Sequence, residues 1–557
     1  MSKERLIYLP LGGAGEVGMN AYVFGYGPKG RERLILVDLG VTFSDMDSSP
    51  GVDLIMPDLR WLEERRDRLE AIIITHAHED HVGALGQMWD RLRVPVYARD
   101  FTARIARLKM QDAGQDPEQV ITVDKAPEAL DLGPFRVQFF PVAHSLPEAS
   151  GLIIDTPAGR VVHSGDFKSD LTPGVGEAHD PKLLGDIGKT GVKVLLCDST
   201  NVMNPAPGRS EATLVEPITD LMRNAKGMVV ATTFASNVAR LRTLAMAAQE
   251  AGRSVCVMGR AMLRMIQVAT EAGILKDFPS TISPEAAKDI PRENLLLIVT
   301  GSQGERRAAS AQLARGTYMG MQMKEGDTFL FSSMTIPGNE REVGRVVNGL
   351  SAMGVDVLDN AGRLYHVSGH ANRPDLEEMH DLIAPEIMIP MHGEHRMLRE
   401  HAKLALARGM RAMVVPNGSV CDLTDAAPAL VDEVETGRIY LDGSRLIGAM
   451  DGVVRDRLRM AMGGHVFVTV ILDEENEMLG APWAEIAGLR AEGRGGEGLN
   501  EIIEAELEDF IARAGHKVLA DDDRLTDGMR RVVRQVVMEE IGKKPEVTIV
   551  VSRLVGE

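Results

Sequence analysis

Directly after the apolar run Ala71-Ile72-Ile73-Ile74, the segment His76-Ala77-His78-Glu79-Asp80-His81 packs three imidazoles and an aspartate into six residues. The apolar run reads as a strand, so the ligand cluster falls where a strand runs out into a loop. His76 and His78 are two residues apart and face the same side in extended backbone, whereas the helical zinc motif needs histidines four apart. Imidazole together with carboxylate suits zinc or manganese. A purely structural loop would gain nothing from so many ligands, and burying them without partners costs several kcal/mol. A helix is expected just beyond, over Val82-Gly83-Ala84-Leu85-Gly86-Gln87-Met88-Trp89.

The remaining donors must be carried in by the fold. Candidates are His144 in Phe139-Phe140-Pro141-Val142-Ala143-His144, Asp166 in Val161-Val162-His163-Ser164-Gly165-Asp166, and His392 in Ile387-Met388-Ile389-Pro390-Met391-His392. Each follows a strand-like run and can stand on a loop at one sheet edge. A competing motif, Gly13-Ala14-Gly15-Glu16-Val17-Gly18, has the GxGxxG pattern, with Asp38 placed as a dinucleotide fingerprint asks. That fingerprint requires a helix at the glycines. The following Asn20-Ala21-Tyr22-Val23-Phe24-Gly25-Tyr26-Gly27-Pro28 is β-rich and broken by Gly and Pro, so a strand–turn–strand is expected instead.

In chain order, the series HxHxDH, His144, Asp166, His392 resembles the metallo-β-lactamase superfamily. Cys197-Asp198-Ser199-Thr200-Asn201 and Val367-Ser368-Gly369-His370-Ala371 resemble its β-CASP nucleases. With Leu11-Gly12-Gly13-Ala14-Gly15-Glu16-Val17-Gly18-Met19-Asn20 at the start and a tail domain at the end, the chain resembles the bacterial ribonuclease J family throughout. The resemblance implies one metal held by His76, His78 and His144 and another by Asp80, His81 and His392, with Asp166 bridging. It puts Asp198, His370 and His392 at three β-CASP motif positions, the last being histidine as in RNA-acting members, and Asp38 at the superfamily's structural aspartate. Two divalent cations per subunit are implied, zinc first, with manganese or magnesium as alternatives.

The implied activity is a metal-dependent ribonuclease, a 5′-to-3′ exonuclease favouring 5′-monophosphate ends with endonuclease activity besides, serving rRNA processing and mRNA decay. Asp80, Asp198 and His370 are the catalytic candidates, with His370 placed at the leaving oxygen because imidazole titrates near neutrality. Two turns, at Ser302 and at Ser368-Gly369-His370-Ala371, follow β-rich segments and offer N–H groups that can nest a phosphate. Phe43 is the candidate for stacking a base. The alternative on the same scaffold is a metallohydrolase of a small ester or lactone. The inserted domain with its phosphate-nest turns, which such an enzyme does not need, argues against it.

The expected fold is α/β: a metallo-β-lactamase αββα sandwich over 1–208, an inserted α/β β-CASP domain over 209–371 and the resumed sandwich over 372–447. A linker over 448–464 then leads to a small C-terminal α/β domain over 465–557. At 557 residues and 44% hydrophobic, the chain can bury cores for several domains. No apolar stretch is long enough to span a membrane, and Met1-Ser2-Lys3-Glu4-Arg5 leads straight into a strand, so a cytoplasmic location without membrane contact is expected. Cys197, Cys256 and Cys421 are scattered without CxxC spacing, which argues against disulfides or a thiolate metal site and for buried small hydrophobes. The net charge of −19 is unfavourable for coating nucleic acid, so RNA is expected to bind in a specific channel. From Ala449 onward the chain has 14 Lys and Arg against 22 Asp and Glu. The tail is therefore expected to mediate homo-oligomerisation rather than to grip RNA.

Overall fold

The computed structural model describes residues 4–336, 338–359 and 364–554; Met1-Ser2-Lys3 lie outside the described residues. The chain forms two compact units, one running up to Thr42 and resuming over Met56–Arg438, the other made of Phe43–Ile55 and the residues from Ile439 on.

In the first unit, an eight-stranded sheet runs in the order Ala429–Glu433, Ser419–Asp422, Glu4–Gly12, Ala21–Pro28, Arg33–Val37, Leu69–Ile73, Val96–Ala98, Val120–Thr122. A seven-stranded sheet runs Arg411–Ala412, Ile387–Met391, Val194–Asp198, Gly159–His163, Ser150–Thr156, Phe135–Pro141, Leu130–Leu132. Alternate residues meet between them: Leu6, Tyr8, Tyr22, Phe24, Ile35, Val37, Ala71 and Ile73 pack with Phe135, Val137, Leu152, Ile154, Val161, Val194, Leu196 and Ile389. The intervening Ile7, Leu9, Leu34 and Ile72 are buried too, on the opposite face. Burial of both faces is what an αββα sandwich requires. The glycine motif is a strand–turn–strand as expected, with Glu4–Gly12 pairing antiparallel to Ala21–Pro28.

A separate five-stranded sheet runs Ser254–Met258, Leu295–Val299, Val229–Thr232, Thr328–Phe331, Asp356–Leu358, with every pairing parallel. Its strands are apolar runs because both faces are covered: Leu295, Leu297 and Val299 enter one core, Leu296 and Ile298 the other. Helix Val238–Glu250 begins at Asn237, whose side chain accepts the Arg240 N–H.

In the second unit, His465–Leu472 is the central strand, antiparallel to Trp483–Ala487 and parallel to Glu546–Arg553. Val466, Val468, Val470 and Leu472 bury one face with Leu499, Ile503 and Leu507 of helix Leu499–Arg513 and Leu525, Met529 and Val533 of helix Asp522–Ile541. The stretch 448–464, read from sequence as a linker, contains helix Val453–Gly463.

Candidate metal centre

Strands Gly159–His163, Val194–Asp198 and Ile387–Met391 are parallel neighbours, so their carboxyl ends share one edge. Phe135–Pro141, two antiparallel steps away, ends there as well. His144, Asp166, Asp198 and His392 are therefore delivered to one place by topology. From the facing sheet, Arg33–Val37 and Leu69–Ile73 are also parallel, which brings Asp38 beside the histidine segment.

That segment differs from its expected loop. Glu79–Val82 is already a helical turn, so Asp80 and His81 project from a helix start; the longer helix begins at Leu85 and runs to Leu92. The turn packs closely enough that a Cβ on Gly40 would lie 1.7 Å from the Asp80 carbonyl oxygen. Asp38 and His392 both hold positive φ, at 63° and 50°, a conformation rare outside glycine that is retained where surrounding structure dictates it.

Two donor sets result, His76, His78, His144 and Asp166, and Asp80, His81, His392 and Asp166, and a further one, Asp166, Asp198, His370 and His392, overlaps the second. In the first, His78 Nδ1 lies 3.1 Å from both His76 Nε2 and His144 Nε2. In the second, Asp166 Oδ2 is 3.1 Å from His81 Nε2 and 3.6 Å from His392 Nε2, with Asp80 Oδ2 3.0 Å from His392 Nε2.

The second nitrogen of each ring fixes its tautomer. His81 Nδ1 donates to Asp38 (2.8 Å) and His144 Nδ1 to the Gly369 carbonyl. Thr75 and Thr200 spend their hydroxyl protons on Asp38 and Asp198, so their oxygens accept from His76 Nδ1 (3.0 Å) and His392 Nδ1 (2.7 Å). His78 Nε2 faces Ser145 Oγ at 3.2 Å. The converging nitrogens are thereby turned toward one another, the arrangement that orients metal-binding imidazoles, with Asn20 Nδ2 3.0 Å from His81 Nε2.

Burial holds His76 and His144 well below the usual imidazole range and His78 at about 4, so all three are neutral. Burial would also lower His81 and His392, but surrounding carboxylates, Asp166 foremost, outweigh it and raise both. Those carboxylates demand positive charge, which a divalent cation also supplies. Asp166 Oδ1 is buried without a hydrogen-bond partner, and a buried lone pair of that kind fits a metal ligand.

His370 sits beside this edge. Its Nδ1 is 2.8 Å from Asp198 Oδ2 and 3.8 Å from Asp166 Oδ2. Burial lowers the imidazole, but the charge and hydrogen bond of Asp198 raise it on balance. Ser368 Oγ accepts from the His370 N–H and from Asn201 Nδ2. Gly369 leaves room for His144, since a Cβ there would stand 2.9 Å from its Cε1; Ala371 is buried behind.

A cavity of about 110 Å³ opens next to these residues, lined by Ser368, His370, Asn201, Lys168, Arg209 and His366 among others. Ser302 is buried in the turn after Leu295–Val299 and does not line it. Phe43 is 65% exposed and belongs to the second unit. Sequence reading missed Thr75, Thr200, Asn201 and Lys168. Thr200 and Asn201 stand inside a quoted motif and Thr75 directly precedes His76, each without an assigned role, whereas Lys168 carries no signal apart from its place two after Asp166.

Family models match in the same order as these elements: "Metallo-beta-lactamase superfamily" over residues 14–191, "Ribonuclease J, beta-CASP domain" over 226–350, "Zn-dependent metallo-hydrolase RNA specificity domain" over 358–416, and "Ribonuclease J C-terminal domain" over 452–554. A protein of Sinorhizobium meliloti named ribonuclease J is 40% identical over 99% of this chain and 98% of its own length. The chain belongs to the ribonuclease J family. Ribonuclease J of Mycobacterium tuberculosis is 35% identical over 96% of this chain and 95% of its own, and that of Thermus thermophilus 32% over 99% and 95%. The ribonuclease J fold is thus a metallo-β-lactamase sandwich with an inserted β-CASP domain and a C-terminal domain. A crystal structure of an Enterococcus faecalis protein of unknown function shares the fold at a TM-score of 0.52 and 16% identity, covering 75% of this chain and all of the other. No helix among the described residues is long and apolar enough to cross a membrane.

Proposed function

We propose that the chain hydrolyses RNA phosphodiesters with two divalent cations, proceeding 5′ to 3′ from monophosphorylated ends and also cutting internally. The observation that carries this reading is the pair of donor sets sharing Asp166, with His370 and a small cavity beside them. His76, His78 and His144 would hold one ion, Asp80, His81 and His392 the other, and Asp166 both; the imidazole-rich donors favour zinc. Bound there, the ions supply a water nucleophile at neutral pH and charge that meets the phosphoryl oxygens.

The protein's own residues do the rest. Asp38, Thr75, Thr200 and Gly369 fix the imidazoles, so the donors need no rearrangement at the moment of reaction. His370, whose imidazole Asp198 raises, donates its proton to the leaving 3′ oxygen. Ser368, Asn201 and Lys168 receive the 5′-terminal phosphate. Lys168 Nζ stands 2.8 Å from Asp170 Oδ2, a pair neutral overall, so a phosphate would share that ammonium with the carboxylate.

Base stacking on Phe43, a cytoplasmic role in rRNA processing and mRNA decay, and homo-oligomerisation through the C-terminal domain complete the reading. The test incubates the full chain and zinc or manganese with 5′-monophosphorylated and 5′-triphosphorylated RNA of one sequence at one salt concentration. Equal exonuclease rates would overturn the 5′-end preference; inertness with both metals would overturn the nuclease reading.

A further inference from the structure

A further group of ligating side chains lies outside this centre. Cys197, His380 and His401 present one donor atom each within 4.8 Å of one another, and all three are buried. They come from three elements. Cys197 is in strand Val194–Asp198, on the face opposite Leu196 and the inter-sheet core. His380 is on helix Arg373–Ile383, and His401 on helix His395–Ala407. The imidazoles meet edge to edge with their planes 12° apart and their Nε2 atoms at 3.1 Å.

Protonation states are restricted. The Ser199 hydroxyl can donate to the Cys197 carbonyl (3.3 Å) while its oxygen accepts from His401 Nδ1 (2.9 Å), which leaves His401 Nε2 with its lone pair. His380 Nδ1 is buried with no hydrogen-bond partner. Both rings are neutral: burial lowers His380 to about 4 and His401 well below the ordinary imidazole range. Two neutral imidazoles and a buried thiol, which burial and the Asp198 charge hold protonated until an ion displaces its proton, form a soft donor set that suits zinc, with water as fourth ligand, or copper(I), and not magnesium or calcium. Two nitrogens at that separation also fit two bonds of roughly 2.0–2.1 Å to a single zinc ion meeting near a right angle.

We propose that Cys197, His380 and His401 bind a structural zinc ion separate from the Asp166-centred sites. The ion would tie two helices to the end of the strand that continues into Asp198. Binding releases the Cys197 proton to solvent, because the thiolate is the ligand. The role is one of positioning: Asp198 holds His370, and Thr200 holds His392, so a pinned strand end steadies both. The inference is independent of the substrate reading, because the donors touch neither the cavity nor the two shared donor sets.

Cobalt(II) replacing zinc in the full chain provides the test, since a thiolate–cobalt bond gives a near-ultraviolet charge-transfer absorption that nitrogen and oxygen ligands do not. Cys256 and Cys421 belong to no such group among the described residues, so a band in the wild-type chain reports Cys197. We expect this band in the wild type and in Asp166→Asn, and its loss in Cys197→Ser. Zinc content should fall by one ion per chain in Cys197→Ser and in His401→Gln. A wild-type chain lacking the band overturns the proposal without reference to any variant, leaving an N–H···N bonded histidine pair. Zinc content unchanged in both folded variants overturns it as well.

Discussion

The backbone carbonyl of Gly369 accepts a hydrogen bond from Nδ1 of His144, so a segment returning from the inserted domain orients a metal-ligand candidate of the sandwich. Gly369→Ala would push a methyl group to within 2.9 Å of the imidazole. Losing such an orienting partner typically costs roughly 10–100-fold in metal affinity or activity. The variant should lose that much ribonuclease activity, recovered in part at high zinc. Wild-type activity at limiting zinc would show the contact to be incidental.

Asp166 is the one carboxylate common to both donor sets. Asp166→Ala should therefore lower the content of both ions and abolish hydrolysis, whereas Asp80→Ala should lower one. Elemental analysis of dialysed protein measures this directly, and equal metal loss in the two variants would contradict a shared ligand.

His370 bonds Asp198 and stands with it, Asp166 and His392 in the overlapping donor set, outside the two that Asp166 bridges. His370→Ala should depress kcat by about 10²–10⁴-fold, the usual contribution of a positioned proton donor, with metal content near that of the wild type. Loss of an ion on this substitution would reassign it as a ligand.

Arg240 is fully buried and pairs with Glu211 at 2.6 Å, while also holding the Tyr365 carbonyl and His366 just ahead of Ser368. Removing one member of a buried pair strands the other charge, typically at about 3–5 kcal/mol. Arg240→Met should destabilise by that order in denaturant unfolding, and adding Glu211→Leu should restore much of it. Additive losses in the double variant would exclude coupling.

The sheet of the second unit is open on the face away from its helices, where Ile471, Trp483 and Val550 are 37%, 50% and 39% exposed. If the tail mediates self-association, Ile471→Glu combined with Val550→Lys should lower the hydrodynamic mass without changing cleavage of a short RNA. An unchanged mass would remove this face from any interface.

The ligand types, their order and the strand preceding each are local properties, and the sequence alone determined them: Ile72-Ile73-Ile74 before His76, Val161-Val162 before Asp166, Ile387–Met391 before His392. The double-sided burial of Leu295–Val299 was likewise written in its unbroken apolar run. Hydrogen bonds and close packing between residues far apart in the chain were decided only by the tertiary structure. Ser302 and Ser368 carry the same Gly/Ser signal, yet only Ser368 reaches the cavity, because strand order and not composition sets which turns share an edge. Lys168 looked like one charged residue among many until folding buried it beside Asp170. Cys197, His380 and His401 have no recognisable spacing and meet only because two helices cross one strand end. Residues 43–55 read as part of the first domain but pack with the second unit. Sequence periodicity reports which face of an element is buried and leaves open which distant element buries it.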